Sequence, residues 1–211
     1  MLSLFLKYSV VGAAAFALVA LSFLVIRTLA FGRIPLKARA RGDAGKGIIY
    51  AFGQGMMPWA KESASGHLPT FFAGIIYHGA IFISLLYLFF CIFSWKPPSF
   101  LLMTVQMIAL GGLLAGFGLL VKRLLRPELR AISCPDDFVA NLLVNLFLLL
   151  SGARARFPVF ESIFFLVATV LFIYLPLGKI RHCFFFFYSR ILFGIFFGRR
   201  GVLPPAVRQE N

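Results

Sequence analysis

Residues 68–95 read LPTFFAGIIYHGAIFISLLYLFFCIFSW, and this stretch decides the fold. It contains no Asp, Glu, Lys or Arg. It exceeds the roughly 20 residues that carry an α-helix across about 30 Å of hydrocarbon. Four further stretches are apolar enough to do the same: 8–26, 99–121, 138–153 and 157–180. Of the 211 residues 61% are hydrophobic and only 13% charged, with a mean hydropathy of +0.93. No soluble domain of this size needs so much apolar surface, whereas a bilayer does. The expectation is an all-α integral membrane protein, a five-helix transmembrane bundle that makes residues 1–211 a single membrane domain. The apolar core of the first stretch is longer than that of a secretory signal, and Arg and Lys follow it where small cleavage-site residues would stand. It is read as a helix of the mature chain.

Charge supplies the orientation. The net charge is +14, and its distribution is lopsided. After the first span come Arg27, Arg33, Lys37, Arg39, Arg41, Lys46 and Lys61. After the third come Lys122, Arg123, Arg126 and Arg130, and after the fifth Lys179, Arg181, Arg190, Arg199, Arg200 and Arg208. The other side holds Lys7, Lys96, Arg154 and Arg156. Such a bias places the N-terminus outside and the C-terminus in the cytoplasm, in the inner (cytoplasmic) membrane of a cell. The basicity therefore reads as topology, not as a nucleic-acid surface.

The segments between the spans carry their own signals. Residues 47–63, GIIYAFGQGMMPWAKES, are apolar but broken by Gly53, Gly55 and Pro58. They read as a stretch lying at the interface with Trp59 and Lys61 as anchors, or else as a solvated loop. The third span contains GGLLAGFG, in which Gly112 and Gly116 lie four apart and let a helix or a flat porphyrin approach the backbone. In LLRPELRAISCPDDF, residues 124–138, Asp136 and Asp137 suit the start of the fourth helix. The fifth helix is expected to pass Pro176 and run on through His182. Residues 183–211 are expected to be a cytoplasmic or interfacial tail, too short and too basic for a sixth crossing.

The chemistry lies in the histidines. His78 stands inside the second span and His182 at the inner end of the fifth. An ionisable side chain within a span is costly, so its default reading is functional. Imidazoles from two helices are one standard way to hold a haem iron. His67, one residue before the second span, is the alternative partner for His182 by simple counting along the helices. Arg126 and Arg130 stand where haem propionates would project and also suit a plain topological role. Lys179 and Arg181 flank His182 and could pair with propionates or snorkel to headgroups. Met103 or Met107 as an axial ligand is the weaker idea, since Met in such segments normally packs. Cys91, Cys134 and Cys183 form no CxxC pair, which argues against an iron–sulfur or zinc site.

YHGAIF (77–82), LRPELRAISCPDDF (125–138), LPLGKIRHCFFFFYSR (175–190) and the following FGRRGVLPP (197–205) occur in that order on the chain. In these stretches the sequence resembles the cytochrome b gamma subunit of respiratory nitrate reductase and its relatives. These include the membrane cytochromes of heterodisulfide-reductase-like and sulfite-reductase-associated complexes. The resemblance implies His78 and His182 as the ligands of one haem b on the inner side. In the family a second histidine pair binds a second haem. The matching positions here are Leu88 and Phe164, which cannot ligate iron. The function so implied is a membrane-anchoring subunit that relays electrons between quinone or quinol and a cytoplasmic iron–sulfur partner subunit. His67 and Glu161 are the nearest titratable groups for quinol protons. A redox-silent anchor for a peripheral enzyme is the rival. A transporter is disfavoured, because neither a buried charge pair nor a broken-helix repeat is visible.

Overall fold

The computed structural model describes residues 1–31, 39–60 and 65–203. Arg33, Lys37, Lys61 and Arg208 lie outside the described residues, as does the end of the FGRRGVLPP stretch. The helices are α1 (Leu2–Ala30), α2 (Ala44–Phe52), α3 (Leu68–Ile92), α4 (Ser99–Leu125), α5 (Pro127–Ala131), α6 (Pro135–Arg156), α7 (Glu161–Leu177) and α8 (His182–Arg199). Tight 3₁₀ turns occur at Gln54–Met56, Pro58–Ala60, Pro158–Phe160 and Lys179–Arg181. No strand occurs among the described residues. In lipid, helices satisfy their backbone groups within one segment, which suits this composition.

Among the described residues six helical segments are long and apolar enough to cross a membrane: Leu2–Ala30, Leu68–Ile92, Ser99–Leu125, Pro135–Arg156, Pro158–Leu177 and Lys179–Arg199. The chain is a multi-pass membrane protein. The sixth of these segments lies where an interfacial or cytoplasmic tail is expected, and is 21 residues of helix and turn. The expected continuous helix through His182 is also broken. After Pro176, α7 ends at Leu177, Gly178 is extended (φ −103°, ψ −169°), and its N–H donates to the Tyr174 carbonyl. The Tyr174 ring lies so close over Gly178 that a Cβ there would collide with it. Glycine is what lets the chain turn at this point.

The chain forms two compact units. The first comprises residues 1–20 and 69–180; the second is built from the described parts of 21–68 and 181–211. In the first unit the α3, α6 and α7 faces meet around Tyr87, Leu88, Phe147, Leu148, Phe164 and Phe165. Phe147 stacks on Phe164 with ring centroids 5.5 Å apart, and Tyr87 lies on its other side at 6.0 Å. Helix α4 approaches through its small residues. A Cβ on Gly112 would overlap Ala80 of α3 and come within 3.3 Å of Leu148 of α6. One on Gly116 would overlap Tyr77 and Asn145. Close helix packing, without any porphyrin, thus accounts for both glycines.

The second unit is held by glycines on both partners. In α2, Asp43 caps the helix by accepting from the Gly45 and Lys46 N–H groups at 2.6 and 3.1 Å. The helix then lies against α8, where a Cβ on Gly47 would overlap the Gly194 carbonyl and come within 2.5 Å of the Gly198 Cα. A Cβ on Gly194 would reach 2.5 Å from the Ile48 Cα. The N–H groups of Arg41 and Gly42 donate to the Arg199 carbonyl at 2.9 and 3.1 Å, satisfying the end of α8. Phe52 packs on Phe186 and Phe187 further along. Within residues 47–63 the helix ends at Phe52 and 3₁₀ turns follow at Gln54–Met56 and Pro58–Ala60, and the helical part has a defined partner in α8.

These contacts separate the glycines of α4. Gly116→Ala is expected to cost about 1–3 kcal/mol through overpacking. Gly118→Ala, with nothing within 4 Å of the added methyl, should be neutral or slightly stabilising. Thermal unfolding of the two purified variants in detergent checks the contrast, and equal behaviour would contradict the packing described.

Candidate functional site

Helix α3 fixes His78 at mid-span in the first unit. The residue is exposed, on a helix surface shared with Ile75 and Phe82. Its Nδ1 lies 2.7 Å from the Gly74 carbonyl one turn back. A carbonyl only accepts, so Nδ1 carries a proton and donates. The Tyr77 ring stands edge-on, 6.1 Å away. A backbone carbonyl is one of the partners that orient metal-ligating histidines.

In the second unit His182 is the first residue of α8, exposed, directly after the Lys179–Arg181 turn. His67 is exposed and immediately precedes α3. Among the described residues no group of three or more His, Cys, Asp or Glu side chains is placed to hold a metal ion. Met103 and Met107 are exposed on α4.

The flanking cations divide. Lys179 extends to Asp137, with Nζ 2.6 Å from the carboxylate, and its backbone N–H donates to Asp136 at 2.8 Å. Asp137 also faces Arg123 at 3.3 Å and accepts from the Cys134 N–H at 2.9 Å, closing the α6 cap. Asp136 stands in the first turn of α6, as expected of a helix-start acid, and also receives the Tyr174 hydroxyl. Lys179 is therefore engaged in tying the α7 end to the α6 start. Arg126 and Arg130 bracket the short α5 and are exposed, as is Arg181.

At the opposite end of the first unit is a cluster that sequence reasoning missed. Arg154 donates to Glu161 at 2.7 and 3.2 Å and to the Tyr87 hydroxyl at 3.3 Å. Ser3 donates to the other Glu161 oxygen at 2.5 Å, and Lys7 donates to Ser94 at 2.6 Å. The available signal was an Arg and a Glu on either side of the short turn joining two spans. Tyr87 and Ser3 gave none. Beside Tyr87, between α3 and α4, an apolar cleft of about 150 Å³ is lined by residues including Phe90, Trp95, Thr104 and Ile108.

Fold and sites define a multi-pass α-helical membrane protein with ionisable groups at mid-span and at both ends of its first unit. Comparison with family models, with curated proteins and with solved structures returns no match.

The Arg154 and Glu161 side chains are 19% and 33% exposed, so solvent screens their pairing only partly. Glu161→Gln leaves a guanidinium short of its carboxylate and should cost about 1–3 kcal/mol of stability. Unfolding in detergent measures this, and an unchanged midpoint would mean the pair contributes nothing.

Proposed function

We propose that the chain is the haem b membrane-anchor subunit of a quinone-linked oxidoreductase complex. It would relay electrons between the quinone pool and a cytoplasmic iron–sulfur partner subunit. The observation that carries this reading is His78. An imidazole on the exposed, apolar surface of a spanning helix is expensive in lipid. Its Nδ1 donates to the Gly74 carbonyl at 2.7 Å, the kind of backbone partner that orients a metal-ligating imidazole. His78 and His182 are proposed as the axial ligands, as the resemblance to the nitrate reductase gamma subunit implies. Bound there, a haem supplies one-electron chemistry. Arg126, Arg130 and Arg181 are exposed cations suited to propionates, while Lys179 already serves Asp137.

One haem, not two, is supported by the fate of the other family positions. Leu88 and Phe164 are buried to 1% and 0% exposure in the aromatic core. The apolar cleft beside Tyr87 supports a lipophilic exchange partner such as a quinone. For five crossings with the N-terminus outside, the support comes from charge and from α8. Arg41 and Gly42 bond to the far end of α8 at Arg199. Residues 31–43 between α1 and α2 carry Arg33, Lys37, Arg39 and Arg41, which no bilayer crossing tolerates. The far end of α8 then shares a side with the end of α1, and α8 lies at the cytoplasmic face of the inner membrane.

Purified protein should show a reduced-minus-oxidised b-type band at one haem per chain. His78→Ala and His182→Ala should each abolish it while the chain still inserts. A band that survives either change overturns the ligand assignment, two haems overturn the single-site reading, and none leaves a redox-silent anchor. A topology reporter fused after residue 211 should report the cytoplasm.

A further inference from the structure

Helices α3, α4 and α6 of the first unit meet in layers whose register is fixed by contact. Gly116 abuts Tyr77 and Asn145, Gly112 abuts Ala80 and Leu148, and Gly152 lies 3.5 Å from the Ala109 Cβ by the Cβ it lacks. Tyr87 and Arg154 then touch through their hydrogen bond at 3.3 Å. Helices α3 and α6 climb together through these layers. Ser84 is one turn beyond Ala80, and Ser151 is one turn beyond Leu148 and adjoins Gly152. Both serines thus fall in one layer, between the Ala80–Gly112–Leu148 floor and the Tyr87–Arg154 pair. A turn of about 5.4 Å separates each level from the next.

Ser84 and Ser151 are both at 0% exposure, and neither hydroxyl has a hydrogen-bond partner. A serine in a spanning helix has a ready acceptor in the carbonyl four residues back. Ser9, Thr28, Thr104 and Thr169 each use it, donating to Phe5, Leu24, Phe100 and Phe165. Ser84 and Ser151 do not, so two buried hydroxyls in one layer are left without a partner, one turn from the partly exposed Arg154. Buried polar groups in proteins are satisfied, by ordered water where no side chain serves. Water needs two to four polar partners, and the two serine hydroxyls supply the minimum.

We propose that Ser84 and Ser151 bind an internal water and form the inner end of a hydrated half-channel that opens past Tyr87, Arg154 and Glu161. Its floor is the dry Ala80–Gly112–Leu148 layer. Beyond the floor, Tyr77, Asn141 and Asn145 form a separate polar group, in which Asn145 donates to Asn141 at 2.8 Å. The half-channel gives water and protons access to mid-depth from the Glu161 end only. It stands independently of haem binding.

Two measurements on the full chain test it. X-ray radiolysis generates hydroxyl radicals from bound water and marks its neighbours. Tyr87 and Leu88 should be oxidised at least ~5-fold faster than Phe165, although all three are buried to 2% exposure or less. Ser84→Ala combined with Ser151→Ala should remove most of that labelling. In melting experiments each single Ala change should lower the midpoint by about 2–4 °C. The double change should cost little more than either alone, because one water is shared. Equal labelling of Tyr87, Leu88 and Phe165, or a rise in the midpoint on either substitution, would show dry hydroxyls and overturn the proposal.

Discussion

In a bilayer, lipid tails are as apolar as leucine, so helices gain nothing from merely hiding apolar surface from water. Association must come from close contact, and α4 supplies it by giving up side chains at Gly112 and Gly116. Their bare backbone admits Ala80, Tyr77, Leu148 and Asn145, so α3 and α6 meet the same ridge of α4. The seam so formed sets which residues share a layer. Nearly everything polar in the first unit follows from that register, from the Tyr77–Asn141–Asn145 group to the Tyr87–Arg154 bond. The second unit repeats the principle with glycines on both helices, Gly47 facing Gly194 and Gly198.

Polar side chains are costly at membrane depth, and the first unit confines its charged ones to the two ends. At one, Asp136 and Asp137 bind together the starts and ends of three helices through Arg123, Tyr174 and Lys179. At the other, Glu161 gathers Arg154 and the N-terminal Ser3. Each carboxylate answers more than one donor, which is what makes a partly buried charge tolerable. Through Ser3 the N-terminal part of α1 is tied to the bundle, and Val10 then enters the core. That part of the helix thereby belongs to the first unit.

The apolar spans were legible in the sequence because length and hydropathy suffice to find them, and the starts at Leu68 and Ser99 agree with the structure. Their other boundaries were not. Residues 138–153 are only the apolar middle of α6, whose first turn holds Asp136 and Asp137 and whose last holds Arg154 and Arg156. The break after Pro176 needed the Tyr174 ring over Gly178, a contact that no periodicity reveals. The pairing of α2 with α8 joins segments far apart in the chain through glycines that individually look like turn formers. The histidines stood out at once, since few ionisable residues interrupt the spans. The hydrogen bond of His78 could not be read, because it depends on where one carbonyl lies.

That bond bears on what His78 is for. If the histidine served only packing, burial in the seam among Tyr77 and Asn145 would be the economical place for it. Its neighbour Tyr77 takes that place instead, at 8% exposure. His78 is turned to the other side of α3, where the surrounding surface is aliphatic and aromatic. The Gly74 carbonyl answers one ring nitrogen, and that bond costs the helix little because it lies on the same strand of backbone. Such an arrangement spends a helix carbonyl to hold a polar ring outward in an apolar medium. In lipid that bond answers one ring nitrogen at mid-span, where a polar group without a partner is costly.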